Sequence, residues 1–120
     1  MIIRKLAALA ALSIAAAAAL PASAQTPFDG GWAVQVFTED ADCQVTDAVP
    51  IRIADGNVRY GGWFGPSTTG EVNTAGALQI RISYFGDVVN VAGQLAGETG
   101  TGYWISPTLE CNGTWTAVRT

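Results

Sequence analysis

The run Ala77-Leu78-Gln79-Ile80-Arg81-Ile82-Ser83-Tyr84, followed after Phe85-Gly86 by Asp87-Val88-Val89-Asn90-Val91-Ala92-Gly93-Gln94-Leu95, decides the fold. Leu78, Ile80 and Ile82 alternate with Gln79, Arg81 and Ser83. Val89, Val91, Gly93 and Leu95 alternate with Asn90, Ala92 and Gln94. A period of two puts one set of side chains on each face of a strand, so each run predicts a strand with one buried face.

The same period extends outward in both directions. Trp32, Val34 and Val36 alternate with Ala33, Gln35 and Phe37, and Ile51 and Ile53 flank Arg52. Asp55-Gly56-Asn57, Asn73-Thr74-Ala75-Gly76 and Ala96-Gly97-Glu98-Thr99-Gly100 separate alternating runs with residues that tolerate positive φ, the mark of tight hairpins. Eight strands follow, at 31–38, 48–54, 57–61, 68–73, 77–84, 88–95, 100–105 and 112–119. No helical repeat interrupts them. Short consecutive links predict an all-β, eight-stranded up-and-down antiparallel meander.

Two cysteines test whether the meander closes. Cys43 follows the first strand and Cys111 precedes the eighth, and closure makes those strands neighbours at that end. A Cys43–Cys111 disulfide would staple the seam of a barrel; in an open sheet the two residues would lie at opposite edges. At the other end Trp32 and Arg119 fall close together, the arrangement of a cation–π contact.

Upstream, Arg4 and Lys5 precede an apolar run from Leu6 to Leu20, and Pro21-Ala22-Ser23-Ala24 ends it with small residues. This is the pattern of a secretory signal peptide over 1–24, leaving a single domain over 25–120. The run is too short for a membrane anchor, which needs about 18 to 25 residues. Periplasmic or extracellular export is expected, and an oxidising compartment agrees with paired cysteines. Residues 25–120 hold four arginines and no lysine against ten acidic residues, a balance of −6. Such a chain repels a phosphate backbone, so no nucleic acid is expected as partner; a basic protein is attracted. An outer-membrane barrel is disfavoured because strands of about 9 to 11 residues with an apolar outer band are required. Here Arg52, Arg59 and Arg81 fall on the outer face.

Gly30-Gly31-Trp32 with the late Arg119 resembles the calycin barrels, lipocalins especially, in which a G-x-W near the first strand packs against a basic residue of the last. Phe28-Asp29-Gly30-Gly31-Trp32, Cys43 and Cys111-Asn112-Gly113-Thr114-Trp115-Thr116-Ala117 together resemble a group of small, exported, largely uncharacterised bacterial proteins. Members of that group are sometimes labelled exoproteins of haem utilisation or adhesion. Haem would need an axial ligand, for which only Tyr60, Tyr84 or Tyr103 remains once the cysteines are paired.

Chemistry is sparse. The chain has no histidine, the usual general base and zinc ligand, and Ser67, Ser83 and Ser106 have neither histidine nor, over 25–120, lysine to activate them. Only a carboxylate pair at the rim could act, as in glycoside hydrolysis, and the spacing singles none out. The acidic run Glu39, Asp40, Asp42 and Asp47 lacks the order of a calcium loop and reads as solvated. Asn112-Gly113-Thr114 fits a glycosylation pattern but reads as the start of the last strand. No enzyme, cofactor or metal is expected. The longer links, 39–47, 61–67, 85–87 and 106–110, gather at one end with Trp63, Phe64, Tyr84, Phe85 and Trp104, and these five are the candidate binding residues. Tyr84 and Trp104 either plug a small barrel or line a cavity; Trp63 and Phe64 either fold onto its mouth or project. A non-catalytic binding protein for a small apolar ligand, a glycan or a protein is the leading expectation. The alternatives are an inhibitor of a basic exported lysozyme or protease and a structural or adhesive surface protein.

Overall fold

The computed structural model describes residues 25–43 and 47–120; the expected signal peptide lies outside the described residues. Eight strands run in order: β1 (Gly30–Thr38), β2 (Ala48–Ala54), β3 (Asn57–Tyr60), β4 (Ser67–Val72), β5 (Ala77–Tyr84), β6 (Asp87–Ala96), β7 (Thr99–Ser106) and β8 (Cys111–Arg119). Every strand end falls within one residue of the sequence expectation. Each strand pairs antiparallel with the next, and β1 pairs with β8 from Trp32↔Arg119 to Thr38↔Gly113, so the meander is a closed barrel. Among the described residues there is no helix, and none long and apolar enough to cross a membrane.

Cys43 and Cys111 form the seam disulfide, with Cα atoms 6.0 Å apart. Opposite it, at the hairpin end, Arg119 lies 4.8 Å from the Trp32 ring centroid. The same guanidinium donates to the Asp29 and Pro27 carbonyls and pairs with Glu98 at 2.9 Å. Trp32 Nε1 donates to the Phe28 carbonyl at 2.9 Å, and Phe28 is buried beneath the barrel. The segment before β1 therefore plugs this end. Asp29 also caps the β2–β3 turn, accepting from the backbone N–H groups of Asp55 (2.8 Å) and Gly56 (3.1 Å). Both turn residues have positive φ, 52° and 78°, the type I′ geometry that Asp-Gly favours.

Burial alone pushes the Asp29 carboxyl up, but the Thr26 hydroxyl and the Asp55, Gly56 and Thr26 backbone donors together outweigh it and hold it below its ordinary 3.8. A carboxyl depressed in the folded state stabilises the fold above its unfolded value, and that contribution is lost as pH falls through the folded value. Asp29→Asn is accordingly expected to melt below wild type at about pH 6, with the difference closing below about pH 4. Thermal unfolding across that range measures it, and a gap that stays constant would remove Asp29 from the acid response.

Two indoles set the shape of the interior. Trp115 on β8 reaches across β7 and donates to the Ala92 carbonyl of β6 at 3.2 Å. Trp104 on β7 reaches the other way, across β8, and donates to the Phe37 carbonyl of β1 at 3.0 Å. Each ring crosses its neighbouring strand at a glycine. A Cβ on Gly102 would stand 2.7 Å from Trp115 Nε1, and one on Gly113 would stand 2.8 Å from Trp104 Nε1. Glycine lets ring and backbone approach where any side chain would separate them. Around these rings pack Trp32, Ile51, Ile53, Val58, Leu78 and Leu95, all buried. Toward the loop end burial thins: Val34, Val36, Val49, Ile82, Val89 and Val91 are only half-buried.

Candidate functional site

The long-loop end carries the exposed rings. Loop 61–66 leaves β3 with Gly61 N–H bonded to the Pro50 carbonyl at 2.9 Å and returns to β4 with the Thr68 hydroxyl on the Pro66 carbonyl at 3.2 Å. Between these ties its backbone folds over the Tyr60 ring; a Cβ on Gly62 would lie 2.6 Å from Tyr60 Cε2, and Gly65 is pressed against the same ring edge. Tyr60 thus occupies the inner side of the loop, and Trp63 and Phe64 face outward, 95% and 88% exposed. They project rather than fold onto the mouth.

The next link around the rim is shorter than the sequence suggests. Tyr84 pairs with Asp87, leaving a two-residue turn of Phe85 (φ 49°) and Gly86 (φ 87°). Phe85 is 90% exposed and Tyr84 54%, and their rings meet edge-on at 4.5 Å. Left-handed backbone costs a residue such as Phe roughly 1–2 kcal/mol, which Asn or Gly would largely avoid. The edge-on contact returns about 0.5 kcal/mol at so exposed a position. Folding therefore gives no reason for Phe at position 85. β4 and β5 are neighbours with Ser67 level with Ser83, so the loop bearing Trp63 and Phe64 stands beside the turn bearing Tyr84 and Phe85.

Trp104 does not belong to this rim. Alternation along β7 turns it inward, where it is 3% exposed and bonded to Phe37, so it is wall packing and out of reach of a docking partner. Sequence reasoning also missed three residues that shape the site. Tyr60 is the backing of loop 61–66, signalled only by the glycines around it. Fully buried Ser106 donates to the Val88 carbonyl at 2.7 Å and accepts from Leu109 N–H at 3.2 Å. Thr108 Oγ1 accepts from Val88 N–H at 3.0 Å. Together they tie the 107–110 link to β6, leaving Leu109 partly exposed at the rim.

The remainder of the rim is acidic. Glu39, Asp40, Asp42 and Asp47 on the β1–β2 link and Glu110 before β8 are all exposed, and the disulfide joins these two neighbouring links. The mouth is thus half aromatic and half acidic, over a floor of half-buried valines. Among the described residues no group of three or more acidic or cysteine side chains is gathered closely enough to hold a metal ion. Two concavities, of about 620 and 670 Å³, lie on the outer wall. Compared with models of known protein families and with curated proteins, the sequence matches none.

Proposed function

We propose that this is an exported, non-catalytic binding protein that docks on a basic protein through the rim of Trp63, Phe64, Tyr84 and Phe85. One observation carries the reading: three of those rings are almost wholly exposed on links whose backbones are held in place. Large rings on preorganised loops supply contact area at little ordering cost, and such residues dominate binding energies. The acidic half of the rim would steer a positively charged partner and disfavour an acidic one. The valine floor would receive one apolar side chain of that partner.

Projection of Trp63 and Phe64 from a backed loop also favours a particular form of this function. A loop of this kind can enter the cleft of a basic exported enzyme and block it, the inhibitor reading. The disulfide is compatible with the oxidising compartment where such enzymes work.

The test is capture from the exported fraction of the cells that make the protein. Wild type is expected to retain a basic protein. Trp63→Ala with Phe64→Ala removes only exposed rings and is expected to weaken retention at least about thirtyfold with unchanged thermal stability. Phe85→Asn is expected to weaken it too while leaving stability equal or up to about 1 kcal/mol higher. A partner held equally by all three proteins, or no protein held by wild type, would reject the rim. Loss of lysozyme or protease activity on adding wild type, but not the double variant, would establish the inhibitor form.

A further inference from the structure

Three of the four arginines of residues 25–120 stand in one row on the outer wall. The strand register produces the row: Arg52 lies directly opposite Arg59, Thr69 opposite Arg81, and Arg81 opposite Asn90. The β3–β4 ladder is reduced to Asn57↔Glu71, and counting on from that pair brings Arg59 level with Thr69. Arg52, Arg59, Thr69, Arg81 and Asn90 thus follow one another across five strands, all exposed.

This placement works against the fold. Like charges directly opposite on neighbouring strands repel, and acidic residues outnumber arginines ten to four over residues 25–120. Yet among the described residues the only ion pair is Arg119 with Glu98 at the hairpin end. Glu39, Asp40, Asp42, Asp47, Asp87 and Glu110 are gathered at the loop end, away from the row. Arg59 and Arg81 instead line an open groove of about 620 Å³ on the outer face of β3 to β7. The groove also offers amide and hydroxyl groups from Asn57, Thr69, Gln79 and Asn90, one acid, Glu71, and the exposed apolar surfaces of Tyr103 and Ile105.

We propose that this groove binds a short acidic glycan, an oligosaccharide carrying carboxylates on its sugars. Guanidinium groups bind carboxylates bidentately, and side-chain amides and hydroxyls match the hydroxyls of a sugar. The Tyr103 ring provides a flat apolar face with a polar edge for a sugar ring to lie on. An acidic peptide would also gain from the arginines and would pair its backbone with the amides, but an extended run of acidic side chains has no flat face to lay on the Tyr103 ring, as a sugar ring has. The net negative charge of the chain opposes a long polyanion, whereas charges beyond about 8 Å are screened at physiological salt, so a short ligand meets mainly the local row. This wall is distinct from the aromatic rim and does not depend on it.

Calorimetric titration of the full chain with galacturonate and mannuronate hexamers tests the proposal, with maltohexaose and hexaglutamate as comparisons. Wild type is expected to bind at least one uronate hexamer, more weakly as salt is raised, and to bind maltohexaose and hexaglutamate at least about tenfold more weakly. Arg59→Gln with Arg81→Gln is expected to lower uronate affinity at least about tenfold, because two charge-assisted contacts are lost. Both positions are exposed, so the variant keeps its fold, checked by an unchanged melting curve. Trp63→Ala with Phe64→Ala is expected to bind the uronate as wild type does. The proposal is overturned if neither uronate hexamer binds, if the arginine variant binds equally well, or if hexaglutamate binds as tightly.

Discussion

Replacing both Cys43 and Cys111 with alanine is expected to lower the unfolding free energy by about 4 kcal/mol, because the bridge closes a loop with a sequence separation of 68. The effect acts mainly on the unfolded chain, whose freedom the bridge restricts. Net stabilities of small domains are about 5–15 kcal/mol, so this one bond is a large fraction of the whole. The β1–β8 ladder from Trp32↔Arg119 to Thr38↔Gly113 is independent of the bridge, and the plug of Phe28, Trp32 and Arg119 sits at the far end. The variant should therefore fold as a closed barrel whose seam opens first at the loop end. Denaturant unfolding of the wild type and the double alanine variant measures the loss, and amide exchange locates it. A change under about 1 kcal/mol would show that the ladder alone closes the ring.

Trp115→Ala is expected to cost about 3–5 kcal/mol, the range for removing a large buried ring. The site cannot collapse around the void. Gly93, Gly100 and Gly102 lie against the indole and have no side chains to move in, and the Ala92 carbonyl loses its indole donor. Trp115→Phe would retain much of the contact and lose the hydrogen bond, so an intermediate cost is expected. Urea unfolding of the three proteins provides the comparison. A Trp115→Ala variant within about 1 kcal/mol of wild type would mean that the ring does not hold β6, β7 and β8 in their curvature.

Much of the architecture was legible in one dimension because strands and turns are local. Period-two alternation located each ribbon, Asp55-Gly56 and Gly97-Glu98 marked turns through the backbone angles those residues allow, and Cys43 and Cys111 fell where only a closed ring brings strand ends together. The candidate site was legible in part. Trp63 and Phe64, set between glycines in a link, read correctly as loop residues. For Trp104 the sequence leaves two readings, filling the barrel or lining a cavity, and both turn the ring inward, where it lies. Its direction follows from the alternation of β7, and its partner, the Phe37 carbonyl, is 67 positions away.

By itself, then, the sequence determined the number of strands, their order and ends, and the pairing of the two sulfurs, all of which depend on neighbours along the chain or on the ends of the meander. Tertiary structure alone decided that Trp63 and Phe64 project, that Tyr60 stands behind the loop bearing them, and that Arg52, Arg59 and Arg81 share a row. The physical reason is register. A shift of a single residue in any ladder turns a side chain to the other face, and whether three distant arginines become level depends on the pairings accumulated across β2 to β5.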